Sequence, residues 1–179
     1  MTHDQIIDIA IQEGFSGASV IDTSAIVFDP SFRSYCEENL CGQYGVNHAC
    51  PPHCGAPEDM KQEILKHKNA LVMQTVWNIP DYRDHASVES AKMRHKDTSN
   101  RVIERLEQHG IHGLLVGVSF CSLCTPCTIN EGKPCKFPER RYSCMSAYCI
   151  YVKDLAEKCN MAYDCEGVSL PLFSMFVFD

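Results

Sequence analysis

Ala70-Leu71-Val72-Met73-Gln74-Thr75-Val76-Trp77 is nearly all apolar or β-prone, as a strand covered on both faces must be. Asn78 to Asp84, with Pro80, breaks it, and a helical pattern then runs from His85 to His109. Within that pattern Val88, Ala91, His95, Thr98, Val102, Leu106 and His109 recur at steps of three and four, and Gly110 ends it. Gly113-Leu114-Leu115-Val116-Gly117-Val118-Ser119 follows as a second buried strand. Strand, long helix, strand is a βαβ unit, which predicts a parallel pair with a right-handed crossover and an α/β fold. On the helical stripe, His95 and His109 read as buried core histidines rather than ligands. The basic stretch Lys92 to Lys96 reads as a solvated face.

The flanks add to this frame. Thr2-His3-Asp4-Gln5 is a capping box, Ile6, Ile7, Ala10 and Ile11 form a helical stripe, and Gly14 is the expected stop. Val20 to Phe28 is β-rich although interrupted by polar residues. Pro57 to about Lys66 is a short helix with Glu58 and Asp59 at its positive end. Short helices are expected near Pro138–Ala147 and Val152–Cys159, and a last strand over Ser169–Phe178. No repeat or internal boundary breaks residues 1–179, so a single compact metal-binding domain, with cysteine-rich loops at strand ends, is expected.

Composition narrows the function classes. The 179 residues are 45% hydrophobic and 22% charged, ordinary for a globular chain. No apolar run approaches the roughly 18 to 20 residues of a membrane-spanning helix, and the N-terminus lacks the pattern of a signal peptide. A cytoplasmic protein with no membrane partner is expected. The net charge is −7, and within residues 1–60 Arg33 is the only Lys or Arg. Such a chain grips phosphate backbones poorly, so nucleic acid is disfavoured as a partner.

Twelve cysteines are out of proportion to the rest. Disulfide-dense domains are usually short and secreted because they lack a core, whereas this chain has apolar strands enough to build one. Metal ligation is the favoured reading. The sharper signal is Cys121-Ser-Leu-Cys124-Thr-Pro-Cys127 followed by Cys135 and Pro138. Three cysteines spaced by two residues let one tight loop wrap three corners of a small cube, as in bacterial ferredoxins, with the fourth arriving from farther on. The longer gap before Cys135 departs from that pattern, but a loop holding Gly132 can span it. Structural zinc usually takes two separate C-x2-C pairs instead. The run begins directly after the Gly113–Phe120 strand, at its carboxyl end, where open α/β sheets hold their ligands.

A second group, Cys36, Cys41, Cys50 and Cys54, is irregularly spaced, with Gly42, Gly45, Pro51 and Pro52 to turn the chain around a bound object. His53 is a possible replacement at one corner, although it, like His48, reads first as an exposed loop histidine. Cys144, Cys149, Cys159 and Cys165 remain. Cys159 reads as a small buried apolar residue. Cys144 or Cys149 is a candidate fourth ligand for the Cys36 group, because distant cysteines cross between clusters in two-cluster ferredoxins.

Tyr35-Cys36-Glu-Glu-Asn39-Leu-Cys41-Gly42-Gln-Tyr44-Gly45 with Cys50-Pro51-Pro52, and Cys121-x-x-Cys124-x-x-Cys127 with Gly132-Lys-Pro134-Cys135-Lys-Phe-Pro138, resemble the paired motifs of a prokaryotic family. It is domain of unknown function 2284, labelled predicted metal-binding protein, and the resemblance runs from about Asp29 to the last strand. It implies metal binding through Cys36, Cys41 and Cys50 in the first motif and Cys121, Cys124, Cys127 and Cys135 in the second. Cys54 falls where the family pattern is less regular. The label supplies no reaction.

Three functions fit these residues. The first is a small electron carrier with two [4Fe-4S] iron–sulfur clusters, each adding about −2 of charge when oxidised. The second is an enzyme whose first cluster has an open iron acting as a Lewis acid, in a desulfidase- or lyase-like reaction. Arg83, Arg140, Arg141 or His53 would then orient an anionic substrate. The third is an interaction module stapled by zinc or by clusters. Substrate, redox partner and oligomeric state are not legible, and no phosphate-cradling or dinucleotide fingerprint occurs.

Overall fold

The computed structural model describes residues 1–164 and 168–179, so Cys165 lies outside the described residues. Five strands form one mixed sheet in the order β1 (Gly17–Asp22), β2 (Asn69–Asn78), β5 (Ser169–Phe178), β3 (Gly113–Gly117) and β4 (Ser143–Cys144). Five helices accompany it: α1 (His3–Glu13), α2 (Arg33–Glu37), α3 (Pro57–Leu65), α4 (His85–Gln108) and α5 (Val152–Lys158). The α/β class is as expected.

Strand alternation sorts the core into two faces. Ala70 and Val72 of β2, with Met175 and Val177 of β5, pack against Met60, Ile64, Leu155 and Ala156 from α3 and α5. Leu71, Met73, Phe176 and Phe178 point the other way, onto Ile6, Ile9, Val102 and Leu106 of α1 and α4. Each buried Val, Leu, Ile, Met or Phe among them stabilises the fold by about 1.5–3 kcal/mol. The N-terminal capping box is present, with Thr2 and Gln5 bonded reciprocally and Gly14 closing α1 in the left-handed region. Across the α1–α4 contact, Glu13 receives Arg101 Nε and Arg105 Nη1, each at 2.9 Å. Those hydrogen bonds hold its carboxyl below the usual range.

The βαβ unit is present in split form: β2 and β3 run parallel, since both are antiparallel to β5, but their expected direct pairing needs correction. β2 and β3 are not neighbours, because β5 lies antiparallel between them and bonds to both. Leu172 to Phe178 is the longest unbroken buried stretch of the chain, and a strand covered on both faces gains most from two neighbours. The parallel pair is instead β3 with β4, Val116 opposite Ser143 and Gly117 opposite Cys144. That pairing also replaces the helix expected over Pro138–Ala147. The strand expected over Val20–Phe28 begins earlier, at Gly17, and gives way to a turn of 3-10 helix at Thr23–Ala25, which the Asp22 carboxylate caps.

On α4, His95 is fully buried as expected. Its Nδ1 pairs with the Thr75 hydroxyl at 2.7 Å and its Nε2 with the Ser174 hydroxyl at 2.8 Å, so burial pushes its pKa down to about 3 without leaving it unsatisfied. His109 differs: it caps the helix, exposed, and donates Nδ1–H to the Arg105 carbonyl. The Lys92–Lys96 stretch is not a solvated face throughout. Arg94 lies over the Trp77 ring, whereas Lys96 is only 7% exposed.

Candidate metal centre

Every described cysteine is a free thiol. The two groups meet at one end of the sheet. β3 delivers the chain to Cys121, while β4 ends on Cys144 opposite Gly117, so both carboxyl ends of the parallel pair carry thiols. Gly117 has to be glycine here: a Cβ would sit 2.6 Å from the Tyr142 ring, which packs over it. Tyr142 in turn receives the Ser122 N–H at 3.4 Å and helps to seat Cys121 beside Ala49.

The first centre is assembled from separate segments. Cys36 lies on α2, Cys41 and Cys50 follow in the turn-rich loop, and Cys144 comes from β4. All four line one cavity of about 430 Å³. Asn39, held at φ 53°, accepts the Tyr44 N–H and makes the reversal that brings Cys41 round. Ser119 lines the same cavity, and its hydroxyl is sealed from solvent without a hydrogen-bond partner. A buried orphan hydroxyl is costly unless a bound group accepts its proton. Four soft sulfurs and that orphan donor around one space suit a thiophilic metal group.

Burial pushes the Cys36 thiol up to about 11, with neighbouring Cys144 adding to the effect and Arg33 opposing it. Burial likewise raises Cys50 and Cys144, the latter tempered by the N–H groups of Ala147 and Ser146. Cys54 does not line this cavity. Its thiol faces Arg33 Nη1 at 3.8 Å, and Arg33 Nη2 donates to the Ala147 carbonyl at 2.8 Å. His53 is exposed and donates to the Gly45 carbonyl at 3.3 Å. Buried Cys149 lies within electrostatic reach of Cys36, and Cys159 is buried in the core as expected.

The second centre is local. Cys121, Cys124, Cys127 and Cys135 all belong to the loop between β3 and β4, with Cys124 and Cys135 as electrostatic neighbours of Cys121. Burial raises the Cys121 thiol, while the N–H groups of Leu123 and Tyr142 favour its thiolate. The His48 N–H points at Cys127 Sγ from 3.5 Å, and the His48 ring donates to the Lys133 carbonyl at 2.9 Å. Asn47 donates to the Cys121 carbonyl at 2.9 Å. Residues 47–50 therefore touch the second centre and end in a cysteine of the first. Arg140 and Arg141 line a different cavity, with Glu104, Glu107 and Glu139, and Arg83 is exposed in the turn before α4.

Among the described residues, no three His, Cys, Asp or Glu side chains are gathered so as to hold a single metal ion. No described helix is long and apolar enough to cross a membrane.

An α/β sheet that gathers cysteines from two loops at one strand end defines a cysteine-rich metal-binding protein. The chain belongs to the family described as predicted metal-binding protein (DUF2284), which matches residues 19–178. No curated protein and no solved structure matches the chain.

Two features of the site were hidden in the sequence. Cys144 is one of two candidates that the sequence offers for a fourth position, and only the β3–β4 pairing carries it to the cavity. Lys96 had no signal beyond its place at i+4 from Lys92 and i−3 from Ser99, a row flanking the apolar stripe.

Proposed function

We propose that the protein carries two [4Fe-4S] clusters and transfers single electrons, with Cys36, Cys41, Cys50 and Cys144 holding one cluster and Cys121, Cys124, Cys127 and Cys135 the other. The observation that carries this reading is the cavity walled by four thiols and the orphan Ser119 hydroxyl. Iron–sulfur clusters supply reversible one-electron chemistry, at potentials set by hydrogen bonds to sulfur, burial and nearby charge. The chain has such donors ready: His48 N–H for Cys127, Leu123 and Tyr142 N–H for Cys121, and Ser146 and Ala147 N–H for Cys144.

A second reading, an enzyme acting on a small substrate at an open iron, draws support from His85, Glu89 and Lys92 of α4, which line the same cavity. It needs a free coordination position, and the presence of Cys144 beside Cys36, Cys41 and Cys50 weighs against one. A zinc-stapled module would draw four ligands to one tetrahedral point, usually from two C-x2-C pairs, and the Cys121-x-x-Cys124-x-x-Cys127 run is not that spacing.

Iron, zinc and acid-labile sulfide content, with the visible spectrum, of anaerobically purified protein tests the proposal. About eight irons and eight sulfides per chain support two clusters. Stoichiometric zinc without iron overturns the redox reading.

A further inference from the structure

Lys96 is a charged side chain in a place where charge is expensive. It is 7% exposed, and its Nζ donates to the Phe120 carbonyl at 3.0 Å and to the Ser122 hydroxyl at 3.3 Å. The ammonium also lies 4.6 Å from the centre of the Phe120 ring. All three partners are neutral, and among the described residues no carboxylate pairs with it; Glu89, which lies within its electrostatic reach, is bonded to Lys92 at 2.7 Å. A buried ammonium costs several kcal/mol unless a negative group compensates it. Also within its electrostatic reach are the Lys92 ammonium, which opposes its charge, and two thiols, Cys121 of the second centre and Cys144 of the first, whose cavity Phe120 helps to line. Phe120 and Ser122, which hold it, flank Cys121 in the chain.

We propose that Lys96 is the shared counter-charge of the two cysteine centres, a positioning residue whose ammonium stabilises the negative charge each centre gains with an added electron. The inference rests on the iron–sulfur reading and adds to it a residue, an electrostatic role and a sign. One electron adds one negative charge to a centre, and a fixed cation favours that state, so Lys96 raises both reduction potentials. The ammonium is desolvated, so this effect persists at salt concentrations that screen surface charges.

The test compares wild-type, Lys96→Met and Lys96→Arg proteins, prepared anaerobically and titrated with dithionite while the reduced centres are followed by electron paramagnetic resonance. Lys96→Met is expected to weaken reduction of both centres by tenfold or more, about 59 mV for one electron. Lys96→Arg, which keeps the charge, is expected to stay close to wild type. Unchanged potentials in Lys96→Met, or a shift at one centre alone, overturn the proposal. So does an equal shift in Lys96→Arg, which would make shape rather than charge the cause. If Lys96→Met loses iron while circular dichroism shows it folded, retention of iron by Lys96→Arg supports the charge role and loss in both overturns it. Wild-type protein without iron would instead sink the reading beneath this one.

Discussion

The two cysteine groups reach the same sheet end by opposite routes. Cys121, Cys124, Cys127 and Cys135 lie within one loop, so their proximity is built into their spacing and survives almost any arrangement of the strands around them. Cys36, Cys41 and Cys50 depend on a strand that enters much later in the chain: Cys144 reaches their cavity only because β4 pairs with β3. A local site is a property of a peptide, whereas an assembled one is a property of the fold.

The sharpest way to break this contrast is to remove one sulfur from each side. Cys144→Ser is expected to lose about half the iron and sulfide while keeping the second centre, and Cys124→Ser the converse, as read by metal analysis and spectra. Cys54→Ser should leave the iron count unchanged, since Cys54 does not line the cavity; loss of a centre in that variant would restore it as the fourth ligand.

Acid should not discriminate between the groups, because it acts on the frame beneath both. His95 is neutral in the fold down to about pH 3, whereas in the unfolded chain it takes a proton near pH 6.5. Its stabilising contribution is therefore complete above pH 6.5 and is lost as pH falls from there towards 3. The cost is about 1.4 kcal/mol per pH unit over that window. Urea midpoints measured from pH 7 to 5 should fall accordingly, and a flat profile would count against a neutral buried His95.

Gly117→Ala places a methyl against the Tyr142 ring and is expected to destabilise the fold by about 1–3 kcal/mol in urea unfolding. It should also loosen the second loop, where Tyr142 receives Ser122. The smallest effect is expected from Asn47→Ala, which removes the bond to the Cys121 carbonyl and the one from the Ala49 N–H. A loss of about 1–2 kcal/mol is expected by the same measurement, with both centres still loaded.

Legibility followed the same division. Helix boundaries at Thr2, Gly14 and Pro57, the strands around Leu71 and Leu115, and the C-x2-C-x2-C run are all set by neighbours in sequence, and periodicity or spacing found them. The place of β5 between β2 and β3 depends on competition among strands for burial, which no window of sequence contains. Ser143-Cys144 carries no strand signal of its own, because its strand character comes from pairing with Val116 and Gly117. The residue type of Lys96 suggests water, while its surroundings come from Phe120 to Ser122 in a distant segment.

The insertion of β5 has a consequence for the order in which the molecule is made. Until residues 169–178 leave the ribosome, the antiparallel pair of β1 with β2 and the parallel pair of β3 with β4 share no strand-to-strand hydrogen bonds. The second cysteine loop is complete in a nascent chain well before that moment. The first has its sulfurs divided between two segments that no strand pairing yet links, Cys36, Cys41 and Cys50 on one and Cys144 on the other. The local group of cysteines is thus complete early in synthesis, whereas the strand pairing that fixes the assembled group waits for β5.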